Sequence, residues 1–181
     1  LRALIENEGE ACSNAIVFCN RKVDVDIVAK SLRRHGLNAE PIHGDLEQSK
    51  RMAVLSGFRD GEIRFLCASD VAARGLDIAN VSHVFNFDVP SHAEDYVHRI
   101  GRTGRAGRSG KAITICSPQD ERNFEDVQRL VKKEIPVLEN PLAKAAAAPA
   151  PSENAAPVEA KSDEPVSEKP KRTRRRRGGA K

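Results

Sequence analysis

AIVFCNRKVDVDIVAKSLRRHGLNAEPI, residues 15–42, is the stretch from which the fold is read. It opens on a short apolar run, Ala15–Cys19, passes through a helical pattern over Arg21–His35, and closes on a second run, Ala39–Ile42. Runs of that length suit strands, and the segment between them suits a helix. The alternation repeats downstream. Strands are expected at Arg64–Ala68, His83–Phe87 and Lys111–Cys116, and helices over Glu47–Arg59, His92–Ile100 and Pro118–Lys133. Asp45 with Gln48, and Ser91 with Glu94, have the capping-box spacing, in which each side chain satisfies a backbone donor of the other. Ser117 before Pro118 places a cap ahead of a proline at the first helical position, where no donor is lost. Short connections with this alternation predict an α/β fold, a parallel sheet covered on both faces by right-handed crossovers.

Composition divides the 181 residues in two. Residues 1–138 carry 20 Lys+Arg against 20 Asp+Glu, whereas 139–181 carry 10 against 6, so the net charge of +4 belongs to the second part. The first part is long enough to bury about two thirds of its unfolded surface without disulfide or metal. Cys12, Cys19, Cys67 and Cys116 form no C-x-x-C pair and have no spaced histidines, which argues against zinc. The last three lie in apolar runs and are expected to be small buried hydrophobes, suited to a reducing cytosol. No apolar run approaches the ~20 residues that span a bilayer, and no signal-peptide pattern opens the chain. The chain starts at Leu1 and its only methionine is Met52, so it is expected to be a fragment of a longer protein.

From about Glu139 the alternation stops. Ala145–Ala148 and Pro149, Pro151, Pro157, Pro165 and Pro170 lie among Glu, Lys and Ser with almost no large apolar residues. Such a segment cannot bury enough surface to offset its ordering entropy, so a disordered tail is expected over 139–181. It ends in Lys169–Lys181, with eight basic residues and no acid.

The most specific stretch is Tyr96-Val-His-Arg-Ile-Gly-Arg-Thr-Gly-Arg-Ala-Gly107. Gly101, Gly104, Gly107 and Gly110 recur at every third position, as do Arg99, Arg102, Arg105 and Arg108. A collagen repeat is excluded because four triplets without proline cannot sustain a triple helix. A P-loop is excluded because Gly110-Lys111 is followed by Ala112. A merely solvated arginine face competes with a functional reading. The glycines favour function: they allow close backbone approach and present guanidinium forks to a group with several anionic oxygens, such as a transferring phosphoryl.

His98-Arg-Ile-Gly-Arg-Thr-Gly-Arg105 resembles motif VI of the DEAD-box RNA helicases, and four further segments resemble family motifs in the family's order. Ala15-Ile-Val-Phe-Cys-Asn-Arg21 is similar to motif IV, and His43-Gly-Asp-Leu-Glu-Gln-Ser-Lys-Arg51 to the segment with the Q-x-x-R element. Ala68-Ser-Asp-Val-Ala-Ala-Arg-Gly-Leu-Asp-Ile78 is similar to motif V, and Val84-Phe-Asn-Phe-Asp-Val-Pro90 to the short motif after it. The resemblance covers residues 1–138 and implies a RecA-like parallel sheet with helices on both faces, the C-terminal RecA-like domain of a bacterial helicase.

Carried over by position, the resemblance implies that Arg102 and Arg105 are arginine fingers on the γ-phosphate. It implies that Gly75 and Asp77 line the nucleotide site, and that His98 and Arg99 couple the two halves of the enzyme. Asn20, Gly44, Arg51 and Ser69 would contact RNA; Ser69 stands where the family often has threonine. Structural readings compete at three positions. Asp77 could be a plain loop carboxylate, Asp45 is first of all a helix N-cap, and Arg51 could pair with Glu47 at i,i+4.

The chain has no G-x-x-x-x-G-K-[ST] and no Asp-Glu-Ala-Asp. The resemblance places those parts in an N-terminal RecA-like domain of the same protein, which would hold most of the ATP phosphates and Mg²⁺; no metal site is expected here. The implied activity is ATP-driven local unwinding of RNA as the two halves close, in the cytoplasm, with no hydrolysis by this chain alone. The basic tail is expected to attract polyanions without sequence preference and to serve RNA tethering or ribonucleoprotein partners. A nuclear address signal is the weaker alternative. No aromatic residues interleave with its arginines, so base stacking is not expected there. The rival readings are a non-enzymatic RNA-binding module with this fold and tail, and a DNA-directed helicase of the same superfamily.

Overall fold

The computed structural model describes residues 1–76, 78, 81–104 and 109–142. Five strands, β1 (Ala15–Cys19), β2 (Ala39–Ile42), β3 (Phe65–Ser69), β4 (His83–Asn86) and β5 (Lys111–Thr114), form one parallel sheet in the order β2-β3-β1-β4-β5. The helices are α1 (Arg2–Glu8), α2 (Lys22–Arg34), α3 (Gln48–Arg59), α4 (Asp70–Ala73), α5 (Ala93–Ile100) and α6 (Glu121–Val131). This is the expected RecA-like arrangement.

The central strand shows why its sequence is apolar throughout. Ala15, Val17 and Cys19 pack with Val25, Val28, Ala29 and Leu32 of α2 on one face. Ile16 and Phe18 pack with Val54, Leu55 and Phe58 of α3 on the other. A parallel strand covered on both faces has no solvent side, so alternation disappears and all five residues are buried. The connection from β1 to β2 runs one way along the sheet and that from β2 to β3 runs back. Right-handed crossovers therefore put α2 and α3 on opposite faces. Tyr96 of α5 and Val127 of α6 close a third cluster with Val89.

Several expectations are corrected. Neither α1 nor α4 was anticipated: α1 buries only Ile5, and α4 is a single turn, so neither leaves much apolar pattern. The capping boxes do not form. The N-cap of α3 is Glu47 and that of α5 is His92, both without a side-chain cap bond. Asp45 instead pairs with Lys22 Nζ at 2.7 Å, and that hydrogen bond holds its carboxyl below the ordinary aspartate range. Pro118 lies in a turn ahead of α6, where Ser117 Oγ donates to Asp120 Oδ2 at 2.6 Å, and Asp120 is the cap residue.

Cys12, Cys19 and Cys67 are buried, but Cys116 is exposed because β5 ends at Thr114. Burial pushes the Cys67 thiol up to about 12 and raises that of Cys19 as well. No described helix is long and apolar enough to cross a membrane. Most of the 139–181 tail lies outside the described residues, which end at Leu142.

Candidate functional site

The carboxyl ends of parallel strands leave a crevice where α/β proteins bind ligands, and several of the expected residues lie at that edge. In register, Cys19 of β1 lies beside Ser69 of β3, and Ala68 beside Ile42 of β2. Asn20, Ser69 and the Gly44 loop therefore emerge from three adjacent strands on one edge. Helix α5, which follows β4, brings His98, Arg99 and Arg102 to the same edge; these three line a shallow crevice with Phe18, Asp70 and Arg74.

Arg99 is the centre of this region, although it is only 1% exposed. Its Nε and Nη2 donate to Asp70 Oδ1 and Oδ2 at 2.7 and 2.6 Å, a bidentate pair. Nη1 donates to the Asp88 carbonyl at 2.8 Å, and Nη2 also reaches Asn20 Oδ1 at 2.7 Å. The guanidinium carbon stands 5.3 Å from the Phe18 ring centroid. One side chain thus joins the ends of β1 and β4 to the start of α4. Asn20 is held by two further bonds: Nδ2 donates to the Val89 carbonyl at 2.8 Å, and its backbone N–H donates to Asp88 Oδ2 at 2.9 Å.

Arg102 points into the loop after α4. Its Nη1 donates to the carbonyls of Leu76 at 2.8 Å and Ile78 at 3.3 Å, and its Nη2 to that of Ala73 at 3.0 Å. Gly75, in the middle of this loop, has φ +79, a conformation that side chains rarely adopt. Arg74 pairs with Asp95, and that hydrogen bond raises the pKa of its guanidinium. Gly110 lies against this region too, since a Cβ there would strike Thr103 Oγ1 and the Gly104 amide.

Of the remaining expected residues, His98 is exposed on α5. Arg51 Nη2 donates to the Ala72 carbonyl at 3.0 Å, which ties α3 to α4. Ser69 is 8% exposed and is the N-cap of α4, without a side-chain cap bond. Gly44 is exposed, has no positive φ, and leaves open space for a Cβ, so nothing in the fold itself requires glycine there. Its loop is held to α2 by Lys22–Asp45 and by His43 Nε2, 3.2 Å from Asp26 Oδ1. Asp77, Arg105 and Arg108 lie outside the described residues. Among the described residues no three His, Cys, Asp or Glu side chains are grouped to hold a metal ion.

Asp70, Asp88 and Asp95 were missed by sequence reasoning. A signal existed for Asp70: an arginine on the inner side of a helix needs a carboxylate, and Asp70 follows Ser69 directly in an already suspect stretch.

Residues 1–107 match the family of helicase conserved C-terminal domains. The chain belongs to that family. Its curated relatives fix the branch as DEAD-box. This helicase domain is 50% identical over 127 residues to the DEAD-box ATP-dependent RNA helicase CshA of Geobacillus kaustophilus and 50% identical to CshA of Bacillus subtilis. Those alignments cover 70% of this chain but only 27% and 26% of the relatives, so the helicase domain spans about a quarter of their length.

Among solved structures it resembles the E. coli DEAD-box protein SrmB bound to regulator of ribonuclease activity A. The TM-score is 0.67 at 39% identity, over 71% of this chain and 76% of that one. A DEAD box protein from Methanococcus jannaschii gives a TM-score of 0.67 at 40% identity, over 74% of this chain and 37% of that one.

Proposed function

We propose that this chain is the C-terminal half of a bacterial ATP-dependent RNA helicase, and that it supplies arginine fingers and one side of the RNA track. The observation that carries the proposal is the convergence of Asn20, Gly44, Ser69, Arg99 and Arg102 on one edge of the sheet. Family membership supports it.

In this reading an N-terminal RecA-like domain of the same protein cradles the phosphates of ATP and holds Mg²⁺. Arg102 and Arg105 reach the γ-phosphoryl group when the halves close. As charge develops on the transferring oxygens, a fixed guanidinium in a water-poor cleft stabilises the transition state more than the ground state. The loop bearing Gly75 and Asp77 receives the nucleoside end of ATP.

Gly44, Arg51, Ser69 and Asn20 contact the sugar-phosphate backbone of RNA. At Gly44 the open space around the missing Cβ supports this role, because a strand can approach the backbone closely. The Arg51 guanidinium keeps donors beyond the one given to Ala72. Arg99 couples the two sites through Asn20 on the RNA side and Asp70 at the start of α4. His98 faces the other half. Closure bends one RNA strand and destabilises a duplex locally; hydrolysis reopens the cleft. The protein works in the cytoplasm. Residues 1–138 form the working domain, and the tail 139–181 tethers RNA through its eight terminal basic residues.

The test is reconstitution. The chain alone should show no RNA-stimulated ATP hydrolysis, and joining it to its N-terminal half should restore it. Turnover above background by residues 1–181 alone would refute the proposal.

A further inference from the structure

The three carbonyls that Arg102 collects suggest a second task for this residue, one that does not involve the γ-phosphate. Ala73 is the last residue of α4, so its carbonyl is one of those that a helix end leaves without an intrahelical partner. Leu76 and Ile78 stand on either side of Asp77 in the chain, and both their carbonyls accept from the same Nη1. The loop holds itself weakly: the Leu76 N–H reaches the Ala73 carbonyl only at 3.3 Å. Its far end is stitched to the same place, with the Val81 N–H donating to the Arg102 carbonyl at 3.2 Å and Thr103 Oγ1 donating to the Val81 carbonyl. Ala73, Leu76, Ile78 and Val81 are therefore each fastened to Arg102 or Thr103. The left-handed turn at Gly75 lets the carbonyls on both sides of it face one guanidinium.

We infer that Arg102 is a positioning residue for the Ala73–Ile78 loop, and that it shapes the site for the nucleoside end of any adenine nucleotide. The inference rests on the proposed role of that loop in nucleotide binding. It separates the two proposed fingers. A residue that touches only the γ-phosphoryl group adds nothing to the binding of ADP, which lacks that group. A residue that shapes the loop adds to the binding of both ATP and ADP. Lysine cannot replace it, because a single ammonium lacks the planar fork that serves three acceptors at once.

Two measurements test this. The first is amide hydrogen exchange on residues 1–181 alone, for the parent, Arg102→Ala, Arg102→Lys and the exposed control Arg129→Ala. Exchange at residues 74–78 and 81 should rise about 10-fold or more in both Arg102 variants, as charge-assisted hydrogen bonds to three carbonyls are lost. The control should match the parent. The second is ADP affinity in the protein joined to its N-terminal half, read with a fluorescent ADP. Arg102→Ala should weaken it by about 10-fold and Arg105→Ala should leave it unchanged. Unchanged loop exchange, exchange that rises equally over the whole sheet, or unaltered ADP affinity would each overturn the inference. If the loop loosens and ADP weakens while hydrolysis persists in Arg102→Ala, the finger reading fails and the positioning role stands.

Discussion

Arg99 illustrates how a single residue can carry both stability and communication. A buried guanidinium is tolerated only when its donors are satisfied, and here they are shared among Asp70, Asp88 and Asn20. Removing it would leave Asp70 unpaired in a poorly solvated place. Arg99→Ala should therefore cost about 3–5 kcal/mol, measured by urea unfolding of residues 1–181. Arg99→Lys should recover little, because an ammonium cannot replace the bidentate fork. A loss under about 1 kcal/mol would mean that the pair is as weak as a surface ion pair. Arg102 differs in kind. Its acceptors are backbone carbonyls of one loop, so its loss should loosen that loop rather than the domain.

At the scale of elements, helix α1 packs Ile5 and Leu4 on the core but is anchored by charge as well. Helix α1 buries only Ile5, yet Glu8 at its end accepts from Lys111 Nζ on β5 at 2.5 Å and lies 3.2 Å from His83 Nε2 on β4. Burial pushes the Glu8 carboxyl up, but the hydrogen bonds from Lys111 and His83 outweigh it and hold it below the ordinary glutamate range. A depressed carboxyl contributes stability above its unfolded pKa and loses it as the pH falls through the folded one. Glu8→Gln should cost about 1–3 kcal/mol at neutral pH, and the difference from the parent should shrink on acidification below about pH 4. Urea midpoints across pH measure this; a difference that stays constant into acid would rule out the ion-pair account.

The same contrast decides what was legible. Strands β1 to β4 and helices α2 and α3 could be read because they bury apolar runs or an apolar stripe, whereas β5, α5 and α6, which bury less, were marked by their place in the strand–helix alternation. Helices α1 and α4 could not, since their partners lie far away in sequence: Glu8 and His83 are 75 residues apart. The capping boxes failed for the same reason, Asp45 being drawn to Lys22 rather than to its own helix. In the site, the motif residues were legible by resemblance, whereas the carboxylates that hold them were not, because burial creates the need for them.

At the scale of the whole molecule, the neutral front part and the basic tail should separate cleanly in their effects. Deleting residues 139–181 should leave unfolding of the domain unchanged and weaken RNA binding. The slope of log K against log salt on single strands should shallow by up to about 0.7 per charge removed. An unaltered slope would make the tail a solvated run. The central claim is that the arginines of the glycine-rich stretch act on phosphate and are not simply a basic surface. Arginine fingers are worth about 10³–10⁵ in rate. The most direct measurement is the RNA-stimulated ATPase rate of the chain joined to its N-terminal half, for Arg102→Ala, Arg105→Ala and Arg108→Ala, with far-UV spectra as a check on folding. The first two should lose hydrolysis by about that factor while Arg108→Ala stays near the parent rate; equal damage from Arg108→Ala would contradict the assignment.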